Sequence, residues 1–172
     1  MAALSPELRQ RILDYLPRAV KEPRNLAYRY RMFEGSMEAG LVLAGAGMGV
    51  HHGLCHVLGG RYNAPHGVLN GIILPHAMRF NLPIAGKAYR ELAPLLHVRV
   101  SGAGDTALGE KVCQATAEFI RGLGLPQRLW DLGIPKTDLP SIAQEAMESK
   151  SVRANPRPVS VRDALEILEA AW

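Results

Sequence analysis

The 172-residue sequence is 48% hydrophobic, 21% charged and 6% aromatic, which excludes disordered, collagen-like and disulfide-rich proteins and predicts a globular fold. Its 20 Lys and Arg are interspersed with 16 Asp and Glu to give a net charge of +4, and without a recognition motif this balance predicts no nucleic-acid partner. Only two cysteines, no signal peptide and no apolar run longer than residues 39–50 predict a cytoplasmic protein without disulfides or membrane contact.

The first two predicted helices differ in polarity. Ser5-Pro6-Glu7 is typical of a helix start, and apolar residues follow at helical spacing over residues 8–16, with a break expected at Pro17. A second helix is predicted from Asn25 to about Gly47. Its second half is nearly all apolar and rich in Gly and Ala, so we expect it to be central and buried.

Gly and Pro punctuation separates the remaining helices. We predict them at residues 51–60, 65–80, 87–96, 107–123, 139–149 and 161–171, with Gly59-Gly60 ending the first, Pro65 opening the second, Asp105 or Thr106 capping 107–123 and Ser160 capping the last. Residues 97–100 alone hint at a strand, and four residues cannot make a sheet. The sequence therefore predicts an all-α fold in one domain, residues 1–172.

Four of the six histidines lie within residues 51–66: His51, His52, His56 and His66. On one helix, His52 and His56 project from the same face about 6 Å apart along the axis, and a turn after Gly59-Gly60 would fold His66 back towards them. Neutral imidazoles that converge from two helices bind divalent transition metals. The cluster predicts a metal site, with a hydrogen-bonded structural cluster as the alternative.

The residues between these histidines leave a second alternative open, a structural zinc site. Gly53-Leu54-Cys55 lies between His52 and His56, so the glutamate base of an HExxH motif is missing. Cys55 is a candidate thiolate ligand of a structural zinc site, although such closed sites usually have four protein ligands. His76 and His97 are interpreted as ordinary packed or capping histidines.

The segment GVHHGLCHVLGGRYNAPHGVLNGIILPHAMRFN, residues 49–81, resembles the signature of the iron-containing alcohol dehydrogenase family. The later segments RLWDLGIPKTDLPSIAQEA and NPRPVSVRDALEILEAAW resemble the last helices of that family. The resemblance implies a helical bundle like the C-terminal domain of dehydroquinate synthase-like and iron-containing alcohol dehydrogenases.

In that family, four side chains hold a divalent iron or zinc ion, and the resemblance assigns His52 and His66 as two of them. His56 matches a family histidine that lies near the substrate and the nicotinamide of NAD(P) and helps to relay a proton. The two other family ligands, an Asp-x-x-x-His pair, and the nucleotide-binding domain would precede Met1. We therefore expect the isolated chain to bind metal weakly.

The resemblance implies a metal-dependent, NAD(P)-linked oxidoreductase for a small alcohol or carbonyl substrate. We expect the single chain to be incomplete, and to self-associate or pair with a chain that supplies the nucleotide-binding half. Residues 51–56 and 155–158 look like maleylacetate reductases, whereas residues 65–70 look more like alcohol dehydrogenases. The alternative function is a non-catalytic helical module that binds a partner or a structural metal.

Overall fold

The computed structural model describes residues 6–99, 102 and 104–172, and this part of the chain contains helices and no strand. The predicted all-α fold is therefore confirmed. The helices are α1 (Pro6–Lys21), α2 (Leu26–Gly45), α3 (Val50–Tyr62), α4 (His66–Leu92), α5 (Asp105–Gly122), α6 (Leu139–Ala146), α7 (Lys150–Arg153) and α8 (Val161–Ala170), with short 3-10 helices at Pro94–Leu96, Leu129–Leu132 and Lys136–Asp138. None of these helices is by itself long and apolar enough to cross a membrane.

The chain divides into two compact units, Met1–Gly47 and Met48–Trp172. In the first, α1 packs against α2, and the rings of Tyr15 and Tyr28 lie 6.0 Å apart. The predicted break at Pro17 is wrong, because α1 continues to Lys21. A proline removes one backbone N–H donor, and the helical bonding resumes behind it, where the Glu22 N–H donates to the Arg18 carbonyl at 2.8 Å. The predicted cap, Ser5, lies outside the described residues.

Helix α2 begins where the sequence predicts, since the Asn25 side chain accepts hydrogen bonds from the backbone of Ala27 and Tyr28. The prediction that this helix is buried is wrong: Leu26 is 79% exposed and Leu41 71% exposed. Within its unit, α2 has only α1 as a helical neighbour, and one neighbour covers one face of a 20-residue helix.

Helix α4 is the centre of the second unit and packs against α3, α5 and α8. The two predicted helices at 65–80 and 87–96 are in fact this one helix, followed by the 3-10 turn Pro94–Leu96. The Tyr89 hydroxyl donates to the Met78 carbonyl at 2.8 Å, although eleven residues span about 16 Å along a straight helix. Helix α4 therefore bends, and Pro83 between the two residues accounts for the bend without ending the helix.

Two of the predicted helix ends differ from the structure. Helix α3 continues through Gly59-Gly60 to Tyr62 and ends at Asn63, whose φ of 49° is left-handed. Helix α5 begins at Asp105 without a side-chain cap, because its N-cap residue is Gly104, and the Asp105 carboxylate accepts from Arg90 of α4.

Of the remaining local predictions, some are wrong and one is confirmed. Residues 97–99 form no strand, and residue 100 lies outside the described part of the chain. The predicted helix 139–149 stops at Ala146, since Ser149 caps the separate helix α7. Ser160 caps α8 as predicted, with its hydroxyl accepting from the Asp163 N–H at 3.2 Å.

The second unit has two hydrophobic clusters, one on each side of the bend in α4. The larger joins α3, the first part of α4, α6, α7 and α8, and its bulkiest fully buried side chains are Leu54, Leu58, Leu69, Ile73, Leu129, Ile134, Leu139, Ile142 and Leu168. The smaller joins the second part of α4 to α5 through Leu82, Tyr89, Ala93, Leu108, Val112 and Cys113. Helix α3 is thus held against a packed core.

A buried asparagine connects three segments of this unit. Asn155 is 8% exposed, and its Oδ1 accepts from the Val50 N–H at 3.1 Å and from Asn81 at 3.2 Å. Its Nδ2 donates back to Asn81 Oδ1 at 2.8 Å and to the Arg157 carbonyl at 2.7 Å. The first turn of α3, the middle of α4 and the loop before α8 therefore share one polar side chain.

Replacing Asn155 with Ala should lower the free energy of unfolding by about 2 to 4 kcal/mol, because the Val50 N–H and the Asn81 amide would stay buried without partners. Urea unfolding monitored by circular dichroism measures this loss. The matched control is Gln144→Ala on the exposed face of α6, which should change stability by less than about 0.5 kcal/mol. Equal stability of the two variants would contradict the structural role of Asn155.

Candidate functional site

Helices α3 and α4 bring three of the clustered histidines together. The ring centroids are 6.0 Å apart for His52 and His56, 5.7 Å for His52 and His66, and 5.6 Å for His56 and His66. The turn at residues 63–65, which begins with the left-handed Asn63, folds α4 back against α3. The predicted convergence of imidazoles from two helices is confirmed.

His51, the fourth member of the cluster, is directed at the backbone of α4. Its Nε2 lies 3.0 Å from the carbonyl oxygen of Asn70, and since a carbonyl only accepts, Nε2 is the protonated nitrogen. Burial lowers the pKa of His51 to about 4, although the bond to Asn70 opposes the shift. His51 therefore is neutral at physiological pH and ties α3 to α4.

His52 is half-buried, as is His51, whereas His56 and His66 are exposed. Burial, and then the neighbouring imidazoles of His66 and His56, lower the pKa of His52 below its usual value. Each additional positive charge among these rings would repel the others. The group is consequently suited to bind a cation through neutral nitrogen atoms.

Cys55 does not belong to this group. It is fully buried in the larger hydrophobic cluster, and burial raises the pKa of its thiol to about 12. A thiol that is protonated and faces the core cannot act as a thiolate ligand. The structure thus argues against the alternative zinc site with Cys55.

Gly53, directly after His52, lies at a close contact between α3 and α7. A Cβ atom at position 53 would lie 2.3 Å from Cγ2 of Val152 and 3.3 Å from Oγ of Ser149. Glycine allows α3 to approach α7 this closely, and the glutamate of an HExxH motif has no room here. The close contact fixes the rotation of α3 and therefore the direction of the histidine side chains.

The spacing of His52 and His66 fits a shared divalent ion. Nitrogen ligands lie about 2.0 to 2.1 Å from zinc, so two imidazoles at a tetrahedral angle place their ring centroids about 5.3 Å apart; the observed separation is 5.7 Å. The ring centroids of the other two pairs are also close enough to share an ion. The distances therefore do not single out the ligands, and the assignment of another role to His56 follows from the family resemblance. Within residues 6–99 and 104–172, no set of three or more His, Cys, Asp or Glu forms a metal cage.

Asn70, for which the sequence predicts no role, lies one turn after His66 on α4. Its backbone carbonyl accepts from His51, and its side-chain Oδ1 is buried without a hydrogen-bond partner among the described residues. Residues four apart share one face of a helix, so Asn70 lies on the same face as His66. The four-residue spacing between His66 and Asn70 was the feature of the sequence that could have indicated this position beside the cluster.

The two remaining histidines lie apart from the cluster. His76 is half-buried on α4, ten residues after His66, and its Nδ1 is buried without a partner in the described structure. His97 is exposed at the end of the 3-10 turn, with a left-handed φ of 57°.

Comparison with known proteins identifies relatives of the whole chain. A sequence model of the C-terminal region of the Fe-containing alcohol dehydrogenase family matches residues 2–172. Lactaldehyde reductase from Escherichia coli K12 is 37% identical over 138 residues, which are 80% of this chain and 36% of that protein. Maleylacetate reductase 1 from Cupriavidus pinatubonensis is 36% identical over 157 residues, which are 91% of this chain and 40% of that protein.

The structural comparison agrees with the sequence comparison. The alcohol dehydrogenase from Oenococcus oeni superposes on 96% of this chain and 43% of its own with a TM-score of 0.91 at 30% identity. The chain thus spans less than half the length of these relatives.

Substitution of Gly53 tests the close contact beside His52. Gly53→Ala should destabilise the protein by about 1 to 3 kcal/mol, because the new methyl group overlaps Val152. In contrast, Gly60→Ala on the same helix meets no atom within 4 Å and should be neutral or stabilise by up to about 1 kcal/mol. Thermal and urea unfolding of both variants checks this difference, and similar effects at the two positions would disprove the packing argument.

Proposed function

Because the chain belongs to the Fe-containing alcohol dehydrogenase family, we propose that it is the helical, metal-binding part of an NAD(P)-linked oxidoreductase. The substrate class is a small alcohol or its carbonyl compound, or an unsaturated keto-diacid such as maleylacetate. The observation that supports this proposal is the convergence of His52, His56 and His66 from two helices. The relatives named lactaldehyde reductase and maleylacetate reductase suggest the two substrate classes.

In this proposal, His52 and His66 hold a divalent iron or zinc ion. When bound, the metal supplies Lewis acidity to the oxygen of an alcohol or carbonyl group. His52 suits this role because its lowered pKa keeps its imidazole neutral, and a metal ligand must offer a free lone pair. The hydrogen bond from His51 to the Asn70 carbonyl at 3.0 Å holds the two ligand-bearing helices together.

His56 would move the proton. Its ring lies 6.0 Å from His52 and 5.6 Å from His66, so it is close to both proposed ligands. It is also exposed, which allows exchange of protons with water. An imidazole can accept a proton at one ring nitrogen and release one from the other, so it can pass a proton between solvent and the substrate oxygen.

The nicotinamide nucleotide would bind to a nucleotide-binding half. That half would correspond to the part of the relatives that lies outside the region matched by this chain. We propose that the functional enzyme forms when that half meets the histidine cluster. The two missing metal ligands would come from the same source. Hydride transfer requires nicotinamide and substrate to be held within contact of each other.

A non-catalytic helical module that binds a partner is the second candidate. It is favoured by the exposed apolar residues of α2, which recur at intervals of three or four: Leu26, Tyr30, Phe33, Met37 and Leu41. Exposed apolar stripes of this kind often mark interaction surfaces. Binding of a partner without any metal or turnover would support this candidate over the oxidoreductase.

Loss of a proposed ligand should weaken metal binding. His66→Ala should reduce the affinity for Zn²⁺ or Co²⁺ by more than about tenfold, because loss of even an outer-shell partner has that effect. Titration calorimetry and the visible spectrum of bound Co²⁺ provide the measurement. His97→Asn, an exposed histidine outside the cluster, should bind metal like the unmodified protein, and an unchanged affinity in His66→Ala would refute the ligand assignment.

The role of His56 predicts a separate result. His56→Asn should retain the metal but lose about 100-fold or more in turnover, because a positioned proton-transfer group contributes at least that factor. The assay is metal-dependent NAD(P)H oxidation with maleylacetate and with small aldehydes by the enzyme assembled with its nucleotide-binding half, beside metal analysis of the same samples. Equal turnover of the variant and the unmodified protein would exclude His56 from the relay. If the unmodified protein binds no metal and shows no turnover even with the nucleotide-binding half present, the non-catalytic module is favoured.

A further inference from the structure

A polar pocket, separate from the histidine cluster, lies between α4, α5 and the segment that precedes the 3-10 helix Leu129–Leu132. It has a volume of about 350 Å³, within the range of small-molecule sites. Its polar walls are formed by His76, Arg79, Gln114, Arg121, Gln127 and Arg128. We propose that this pocket binds the phosphate or carboxylate group of a small-molecule ligand.

Two of the three arginines give the pocket a positive charge that no carboxylate lining it offsets. Arg79 is paired with Glu110, whose Oε2 lies 2.9 Å from its Nε. Arg121 and Arg128 form no ion pair with any described residue, and no Asp or Glu is among the described residues that line the pocket. Guanidinium groups bind phosphate and carboxylate oxygens through paired, charge-assisted hydrogen bonds.

His76 adds an unused polar atom to this pocket. Its Nδ1 is buried and has no hydrogen-bond partner in the described part of the chain. An unpaired buried nitrogen costs about 1 to 3 kcal/mol. Burial, and then the nearby charge of Arg79, lower the pKa of His76, so the ring is a neutral hydrogen-bonding group at physiological pH.

The pocket is formed by packed helices and is separate from the histidine cluster. At Gly71 a Cβ atom would lie 3.3 Å from Cγ2 of Ile120, so this glycine lets α4 approach α5 closely along one wall. His76 follows His66 by ten residues, which corresponds to about 15 Å along the helix. No residue that lines the pocket belongs to the cluster of His51, His52, His56 and His66.

A neighbouring cavity differs from this pocket in the charge of the residues that line it. His76 and Arg79 also line a cavity of about 280 Å³, but Asp163 and Glu166 are part of its wall. Hydrogen bonds from Ser160 lower the pKa of Asp163, which is therefore ionised at neutral pH. Two carboxylates offset the arginines there and make that cavity unsuitable for an anion.

Titration calorimetry of the purified protein with pyrophosphate and with succinate tests the proposal. We expect saturable binding of at least one probe at physiological ionic strength, weakened at least about tenfold in the double variant Arg121→Gln, Arg128→Gln. The double variant Lys111→Gln, Lys150→Gln removes the same charge outside the pocket and should bind like the unmodified protein. Tighter pyrophosphate binding indicates a phosphate ligand, and tighter succinate binding a carboxylate.

A variant without a charge change tests the location. Ala117→Met fills the pocket from α5 and should weaken binding, whereas Ala107→Met on the exposed start of the same helix should not. Thermal unfolding confirms that each variant is folded. The absence of saturable binding of both probes, equal weakening in the two charge variants, or unchanged binding in Ala117→Met would overturn the proposal.

Discussion

The amide of Asn155 is the polar contact on which the arrangement of the second unit depends. It accepts from the first turn of α3 at Val50 and exchanges two hydrogen bonds with Asn81 in α4. Because the side chain is only 8% exposed, water cannot easily replace these bonds. Gly49 has to lack a side chain, since a Cβ atom there would lie 2.6 Å from the Asn155 oxygen.

Three contacts together determine how α3 presents its histidines. Asn155 fixes the first turn, the hydrogen bond from His51 to Asn70 joins α3 to α4, and Gly53 allows contact with Val152 of α7. Each contact lies on a rigid helix or on the loop it packs against, which is the condition for a preorganised site. The imidazole rings of His52, His56 and His66 therefore meet without any contribution from a flexible loop.

Helix α4 carries both of the proposed sites. His66 is its first residue, and the pocket around His76 and Arg79 lies further along the first half of the helix, before the bend at Pro83. Relatives named for different carbonyl substrates share this framework at 37% and 36% identity.

The sequence by itself determined the all-α fold, the start of α2 at Asn25, the cap at Ser160, and the meeting of His52, His56 and His66, because helical spacing and a short turn are local properties. It did not determine the continuation of α4 through Pro83, the exposure of α2, or the pairing of Asp105 with Arg90, since neighbouring helices decide each of these. The roles of Asn155 and Asn70, and the arginine pocket, likewise depend on residues far apart in the chain. Only the tertiary structure brings such residues together, and burial then gives their polar groups an energetic weight that no local pattern records.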